Sequence, residues 1–228
     1  MPARASAPRS KPRRSAPTID VIIVTPRGRR LMVLLERAPA GSRERWQLPW
    51  RSLRPEETID EEAAELSRST LGAAPSLIEQ AGAFGGGRRH PSGAALSVAF
   101  LTLVDRQTGE GVEGAATWHP VEDLPPLPPR QRAMIETVRS SLGARLDQSA
   151  IAFHLLPSTF TLTQLQEIYE LLLGRRLHKA SFRRSLHAAW LVEPTNEWRS
   201  EGRGRPAQLF RYAPKKRRSG RRRVRFSG

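Results

Sequence analysis

The chain has no cysteine among its 228 residues, which excludes disulfide bonds and Cys-ligated zinc and fits a reducing compartment. It has no apolar run of about 18 residues, the length that spans a bilayer, and its N-terminus lacks the apolar core of a secretory signal. A soluble, cytoplasmic, nucleoid-associated protein with no membrane partner is expected. Acidic residues are missing from both ends. Residues 1–17 carry Arg4, Arg9, Lys11, Arg13 and Arg14 without an acid, and residues 214–228 carry Lys215, Lys216, Arg217, Arg218, Arg221, Arg222, Arg223 and Arg225 without one. The net charge of +16 is therefore gathered away from residues 18–149, which are close to neutral. Such ends draw polyanions through counterion release, an effect that ignores sequence and weakens with salt. Poor in apolar residues, both are expected to form disordered basic tails.

Between the ends the pattern is that of an α/β protein. Ile19–Thr25 and Leu31–Glu36 are apolar, β-branched runs separated by Pro26-Arg27-Gly28, a hairpin signature. Residues 76–84 and 94–104 read as two further strands, Trp118 begins another short segment, and Pro129 opens a helix running to about Leu142. Between the two later strands lies GGGRRHPSG, residues 85–93. Arg88 and Arg89 in this loop suit a phosphate, because guanidinium forks match its oxygens and glycine lets backbone approach closely; a solvated surface loop fits the same residues. Ser97 and Thr102 follow on the next strand, where polar alternation marks either a pocket wall or a wet face. His90 and His119 lack a partner at metal-ligand spacing and read as ordinary surface or core histidines.

Residues 46–72, WQLPWRSLRPEETIDEEAAELSRSTLG, form a loop feeding a capped helix. Thr58 and Glu61 have capping-box spacing and Gly72 supplies the stop. Acids at a helix start, here Glu56, Glu57, Asp60 and Glu61, complement the helix dipole and need no further role.

Residues 143–149 read as a junction. Beyond it Leu162, Leu165, Ile168, Tyr169 and Leu172 recur at helical spacing, with Thr161 and Gln164 as a second capping box and Gly174 as a stop. A short turn leads to residues 178–192, where Phe182, Leu186, Ala189 and Trp190 share one face while Lys179, Ser181, Arg183, Arg184 and His187 occupy the rest. Two short helices, the second basic at its start, are what a helix-turn-helix presents to the major groove. Arg203 and Arg205 then alternate with glycine before LFRY, as at the tip of a wing, where arginine touches phosphate or minor groove. A small helical domain with a hairpin is the plainer reading of the same elements.

The frame at 46–72 resembles the Nudix box, in which glutamates hold divalent metal against a nucleotide diphosphate. With Gly72 as anchor, Glu57 falls on the first glutamate, but Arg51 stands at the preceding glycine, Glu65 and Leu66 replace the Arg-Glu pair, and Ser69 and Thr70 replace the Glu-Glu pair. Metal-assisted hydrolysis needs several carboxylates on one cation. Over residues 18–213 the chain resembles the Nudix-related transcriptional regulators of bacterial NAD metabolism, on WQLP at 46–49, EQAGAFGGGRRHPSGAALSVAFL at 79–101, LLPSTFTLTQLQEIYE at 155–170, KASFRRSL at 179–186 and GRPAQLFRY at 204–212. Where relatives carry Arg-Asp-Pro-Arg-Gly-Arg, this loop runs from Arg89 to Ala94 and lacks two of the basic positions.

The resemblance implies an α/β Nudix-like α/β/α sandwich with a mixed sheet over residues 18–146, followed by a winged helix-turn-helix over 147–213. It implies a homodimeric repressor that grips double-stranded operator DNA through Lys179, Ser181, Arg183, Arg184, Arg203 and Arg205. The effector would be ADP-ribose or a related NAD-derived nucleotide, held by Arg51, Arg54, Glu57, Arg88, Arg89 and Ser97. No catalytic residue, metal ligand or cofactor is expected. The alternatives are an active Nudix pyrophosphohydrolase with an appended nucleic-acid-binding module, and a nonspecific nucleic-acid binder.

Overall fold

Thr18–Arg27 forms strand β1, buried along almost its whole length, and the first half of the molecule is built around it. The computed structural model describes residues 16–112, 114, 116–146, 149–200 and 206–214. The predicted basic tails fall almost entirely outside these residues, as do Arg203 and Arg205. Strand β2 (Arg30–Arg37) returns antiparallel from the hairpin turn, pairing Val24 with Val33. Two short strands, β3 (Trp46–Gln47) and β4 (Trp50–Ser52), then pair with β2 and with the start of β1 respectively. Helix α1 (Ile59–Leu71) follows, with the Thr58–Glu61 capping box formed in both directions and Gly72 left-handed at its end.

Strand β5 (Leu77–Phe84) pairs antiparallel with β6 (Ser97–Leu103), which runs parallel to β1 from Thr18 opposite Ser97 to Val24 opposite Leu103. Short helix α2 (Arg106–Glu110), strand β7 (Ala116–Pro120) on the far side of β2, and helix α3 (Pro129–Arg145) complete this half. The sheet has seven strands and is mixed, with the β1–β6 pair parallel.

Because β1 is covered on both faces, its apolar residues divide by parity. Ile22 and Val24 face α3 and join Val33, Leu35, Leu101, Met134 and Val138. Ile19, Val21 and Ile23 face α1 and join Ala63, Leu66 and Phe100. Each such side chain contributes roughly 1.5–3 kcal/mol by leaving water.

The chain turns through a 3-10 segment, Ile151–Leu155, into helix α4 (Leu162–Leu173), capped by the Thr161–Gln164 box and ended by left-handed Gly174. Helix α5 (Lys179–Ala189) and the antiparallel pair β8 (Val192–Arg199) and β9 (Ala207–Tyr212) follow, and Phe160 bridges to Phe210 at the edge. Phe182 and Leu186 anchor α5, and Tyr169 meets Phe182 edge-on with centroids 5.4 Å apart. These residues belong to the apolar cluster that also contains Met134, Val138 and Leu142 of α3. Helices α3 and α4 approach closely at Gly143, where an added Cβ would lie 2.7 Å from the carbonyl oxygen of Leu172.

Candidate functional site

Two places gather polar side chains. The first is the edge of β4 and the start of α1. The pairing of Ile19 with Arg51 and of Asp20 with Trp50 fixes their faces: Arg51 leaves the sheet on the α1 side and Trp50 on the α3 side. Arg51 Nη1 donates to Glu62 Oε1 at 3.3 Å and Nη2 donates to Ser69 Oγ at 3.1 Å. Ser69 Oγ in turn donates to the carbonyl of Leu66 at 3.0 Å. Glu62 is almost wholly buried, so Arg51 supplies the counter-charge that a buried carboxylate requires. Arg54 pairs with Glu57 at 3.2 Å. A hydrogen bond shared with Glu62 pushes the Glu57 carboxyl above its ordinary range, against the pull of Arg54. Burial likewise raises Glu36, and the nearby Arg51 charge opposes it.

A divalent cation does not fit this frame. Leu66 is buried in the apolar cluster under α1, Ser69 is engaged by Arg51, and a guanidinium lies across the turn where carboxylates would have to converge. Among the described residues no group of three or more His, Asp or Glu side chains could hold a metal.

The second place is the loop of residues 85–96, and Arg130 holds it. This arginine is only 4% exposed. Its Nε donates to the carbonyl of Arg88 at 3.0 Å, and Nη1 donates to the carbonyl of Ala94 at 2.6 Å and to Ser97 Oγ at 3.2 Å. Its backbone N–H also donates to the carbonyl of Arg89 at 3.2 Å. Beneath it Asp20, fully buried, accepts from Gln131 Nε2 at 2.7 Å and Thr18 Oγ1 at 3.0 Å, and its Oδ1 meets His90 Nε2 at 2.9 Å. His90 Nδ1 meets Ser92 Oγ at 2.7 Å, and Trp50 packs edge-on against the His90 ring at 5.1 Å. Gln131 Oε1 accepts the N–H of Leu48 at 2.9 Å, tying the WQLP turn into the same network. Asp20, His90, Arg130 and Gln131 are all hydrogen-bonded, which rigidifies the loop, while the buried indole N–H of Trp50 has no partner.

Two cavities flank this loop. One of about 750 Å³ lies between Phe84, Arg88 and α3, reaching Thr137 and Ser140. The other, about 530 Å³, lies under Gly86–His90 and Ala94–Ala95, with Arg130 in both linings.

The six nucleotide-site residues expected from sequence are thus divided. Arg51, Arg54 and Glu57 gather on the α1 side. Arg88 and Arg89 sit on the loop held from the α3 side, Arg89 paired with Glu44. Among the described residues no hydrogen bond or ion pair joins the two groups. Ser97 lines neither cavity; it is fully buried, its Oγ 2.7 Å from Thr18 Oγ1 and accepting from Arg130. Thr102 is equally buried, against Ser67 Oγ at 2.9 Å. His90 is a core histidine, and burial lowers the pKa of His119. Asp20, Arg130 and Gln131 carry this network without belonging to any motif in the sequence. Their signals were available: one carboxylate in an otherwise apolar central strand, and a glutamine on the stripe of Met134, Ile135 and Val138.

In the second half Lys179, Ser181, Arg183 and Arg184 are all exposed on the first two turns of α5, while Phe182 and Leu186 point inward. His178 precedes the helix, its Nδ1 3.4 Å from Ser181 Oγ. The turn from α4 is fastened by Glu170, whose Oε1 accepts from the N–H of Leu177 and from Gln166 Nε2, both at 2.9 Å. Trp190 ends α5 in the left-handed region at φ 51° and is 55% exposed; Trp198 on β8 is 57% exposed. No helix among the described residues is long and apolar enough to cross a membrane.

Residues 152–212 match the family described as the NrtR DNA-binding winged helix domain. The chain is 26% identical over 204 residues to the ADPR responsive transcriptional repressor NtrR of Acinetobacter baylyi, covering 86% of this chain and 81% of that protein. The crystal structure of Shewanella oneidensis NrtR complexed with a 27mer DNA superposes with a TM-score of 0.78 at 28% identity, over 87% of this chain and 94% of that one. A MutT/nudix family protein from Enterococcus faecalis superposes with a TM-score of 0.70 over 89% of each chain at 16% identity, a likeness of fold alone. The sheet, helices and C-terminal strand pair thus share the arrangement of the S. oneidensis protein over most of the chain, and residues 152–212 belong to the NrtR winged-helix family.

Proposed function

We propose that this protein is a DNA-binding transcriptional repressor whose Nudix-like domain, residues 18–146, senses ADP-ribose or a related NAD-derived nucleotide without hydrolysing it. The observation that carries the reading is α5: a helix anchored by Phe182 and Leu186 that turns Lys179, Ser181, Arg183 and Arg184 to solvent. A basic helix held from behind in this way fits the major groove, with arginine reading base edges and lysine meeting phosphate. Arg203 and Arg205, between β8 and β9, are assigned to the wing from sequence. The A. baylyi protein is an ADPR responsive repressor and the S. oneidensis protein binds DNA; both properties are carried over here as the proposal.

The nucleotide lies along the open edge of β4. Among the described residues this strand pairs with β1 alone, so a ligand on its other side reaches Arg51 and Arg54 from one face and Arg88 and Arg89 from the other. These guanidinium groups suit a diphosphate. Hydrolysis is not expected, because Leu66, Ser69 and Thr70 offer no carboxylate to a metal or to an attacking water.

Repression is exerted as a homodimer on a palindromic operator, in the cytoplasm. Nucleotide binding favours a dimer geometry in which the two α5 helices no longer match the half-site spacing, which requires different nucleotide affinity in the two states. The test is fluorescence anisotropy on the DNA upstream of the protein's own gene, at near-physiological salt with competitor DNA, with and without ADP-ribose. Sequence-specific binding that ADP-ribose changes is the expected result. Binding abolished by competitor and indifferent to nucleotide would reduce the protein to a nonspecific polyanion binder, and nucleotide turnover with Mg²⁺ would return it to the hydrolases.

A further inference from the structure

We propose that Arg51 stands where the divalent cation of a Nudix box would act, and that the nucleotide is consequently bound without metal. The inference rests on the nucleotide-sensing reading above. Its basis is positional. Arg51 falls on the box glycine, a place where the family frame leaves no side chain, and β4 aims it at α1 with about a third of the side chain still open to solvent. Its two terminal nitrogens bridge Glu62 and Ser69, which lie on one face of α1 about two turns apart. Ser69 occupies one of the frame's metal-binding positions, so the guanidinium is fastened to the place that a cation would otherwise be held.

Charge supports the same assignment. Glu62 pairs with Arg51 and Glu57 with Arg54, and the Arg51 charge also opposes the rise of the Glu36 carboxyl. Two guanidinium groups supply the same positive charge as one divalent ion. A guanidinium has five N–H donors; two of Arg51's are used on Glu62 and Ser69, leaving others for a diphosphate oxygen. The geometry differs from a metal's in one respect: a guanidinium orients an anion but does not activate a water. The substitution therefore converts a hydrolytic frame into a binding one.

The test uses the full chain and ADP-ribose as the probe, with affinity measured by calorimetry in EDTA and in excess Mg²⁺. The expected result is the same dissociation constant in both. Arg51→Gln, which keeps a hydrogen-bonding side chain and removes the charge, is expected to weaken binding about 10- to 100-fold in EDTA. Arg51→Lys, which keeps charge but not the fork, should lose less. Circular dichroism melting of each variant separates a binding loss from a folding loss, and the wild-type comparison stands without either variant. Wild-type binding that requires Mg²⁺, or a folded Arg51→Gln protein that binds as tightly as wild type in EDTA, would overturn the proposal while leaving nucleotide sensing intact. No binding under either condition would instead overturn the sensing reading and, with it, this one.

Discussion

Replacing Arg130 with methionine should loosen the loop of residues 85–96 more than any change within the loop itself. The side chain is 4% exposed and makes three hydrogen bonds, to the carbonyls of Arg88 and Ala94 and to Ser97 Oγ. Methionine fills much of the same volume but donates nothing, so the two carbonyls and the hydroxyl each lose a donor. Hydrogen bonds to charged groups contribute roughly 1.5–3 kcal/mol each. Removing a buried cation also removes its own desolvation cost, which offsets part of the sum. The net loss should be about 3–5 kcal/mol, within the range of buried-network disruptions. For a chain of this size each kcal/mol lowers the melting temperature by roughly 2–4 °C, so a fall on the order of 10 °C is expected by differential scanning calorimetry. The N–H of residue 130 still reaches the carbonyl of Arg89, so the loop should remain attached at one point, and ADP-ribose affinity should fall through mispositioning of Arg88 and Arg89. A variant that melts within about 2 °C of wild type, the shift expected from less than 1 kcal/mol, would refute the assignment of Arg130 as the organiser of this loop.

Gly143→Ala brings a methyl to 2.7 Å from the Leu172 carbonyl oxygen, and forcing α3 from α4 should cost about 1–3 kcal/mol in urea unfolding; an unchanged midpoint would show that the crossing has slack. Burial raises the Glu170 carboxyl, but hydrogen bonds from the Leu177 N–H and Gln166 and the charges of Arg176 and Arg29 pull it below its ordinary 4.5 overall. Its stabilising contribution is therefore present above pH 4.5 and lost as pH falls through the lowered folded value; Glu170→Gln should flatten that acid limb of the stability profile, and an unaltered limb would assign it to other carboxylates. Arg184→Ala should relax sequence preference by roughly 1–3 kcal/mol at one base position, measured by anisotropy on operator variants, whereas uniform weakening on all sequences would place Arg184 on phosphate.

The elements that sequence made legible are those with long periodic signals or paired caps. Helices α1 and α4 begin at Thr58 and Thr161 and stop at Gly72 and Gly174 as their capping patterns require, because these signals are local. Strands β3 and β4 were not legible, since two or three residues carry no period and their pairing is set by β1 and β2. Ser97 and Thr102 were misplaced for a related reason. Alternating polar residues suggest a wet face, but β6 is covered on both sides, and the hydroxyls are satisfied internally by Thr18, Arg130 and Ser67. The division of the arginines between two faces follows from register, which a one-residue slip would invert, and no single segment encodes it.

The apolar cluster that runs from β1 through α3 into α4 and α5 also limits how such proteins can be recombined. Leu142, Leu146, Ile151, Phe153 and Leu165 belong to one continuous body of side chains, so a graft made at residues 143–149 would cut through packed interior and not through a tether. A chimera that joins this ligand-binding half to a foreign reader domain would have to carry α3, the 3-10 segment and the inner face of α4 as a block. If α5 reads DNA as proposed, the practical unit of exchange is smaller than the domain: the outward residues of α5, which can be changed while the interior behind Phe182 and Leu186 stays as it is.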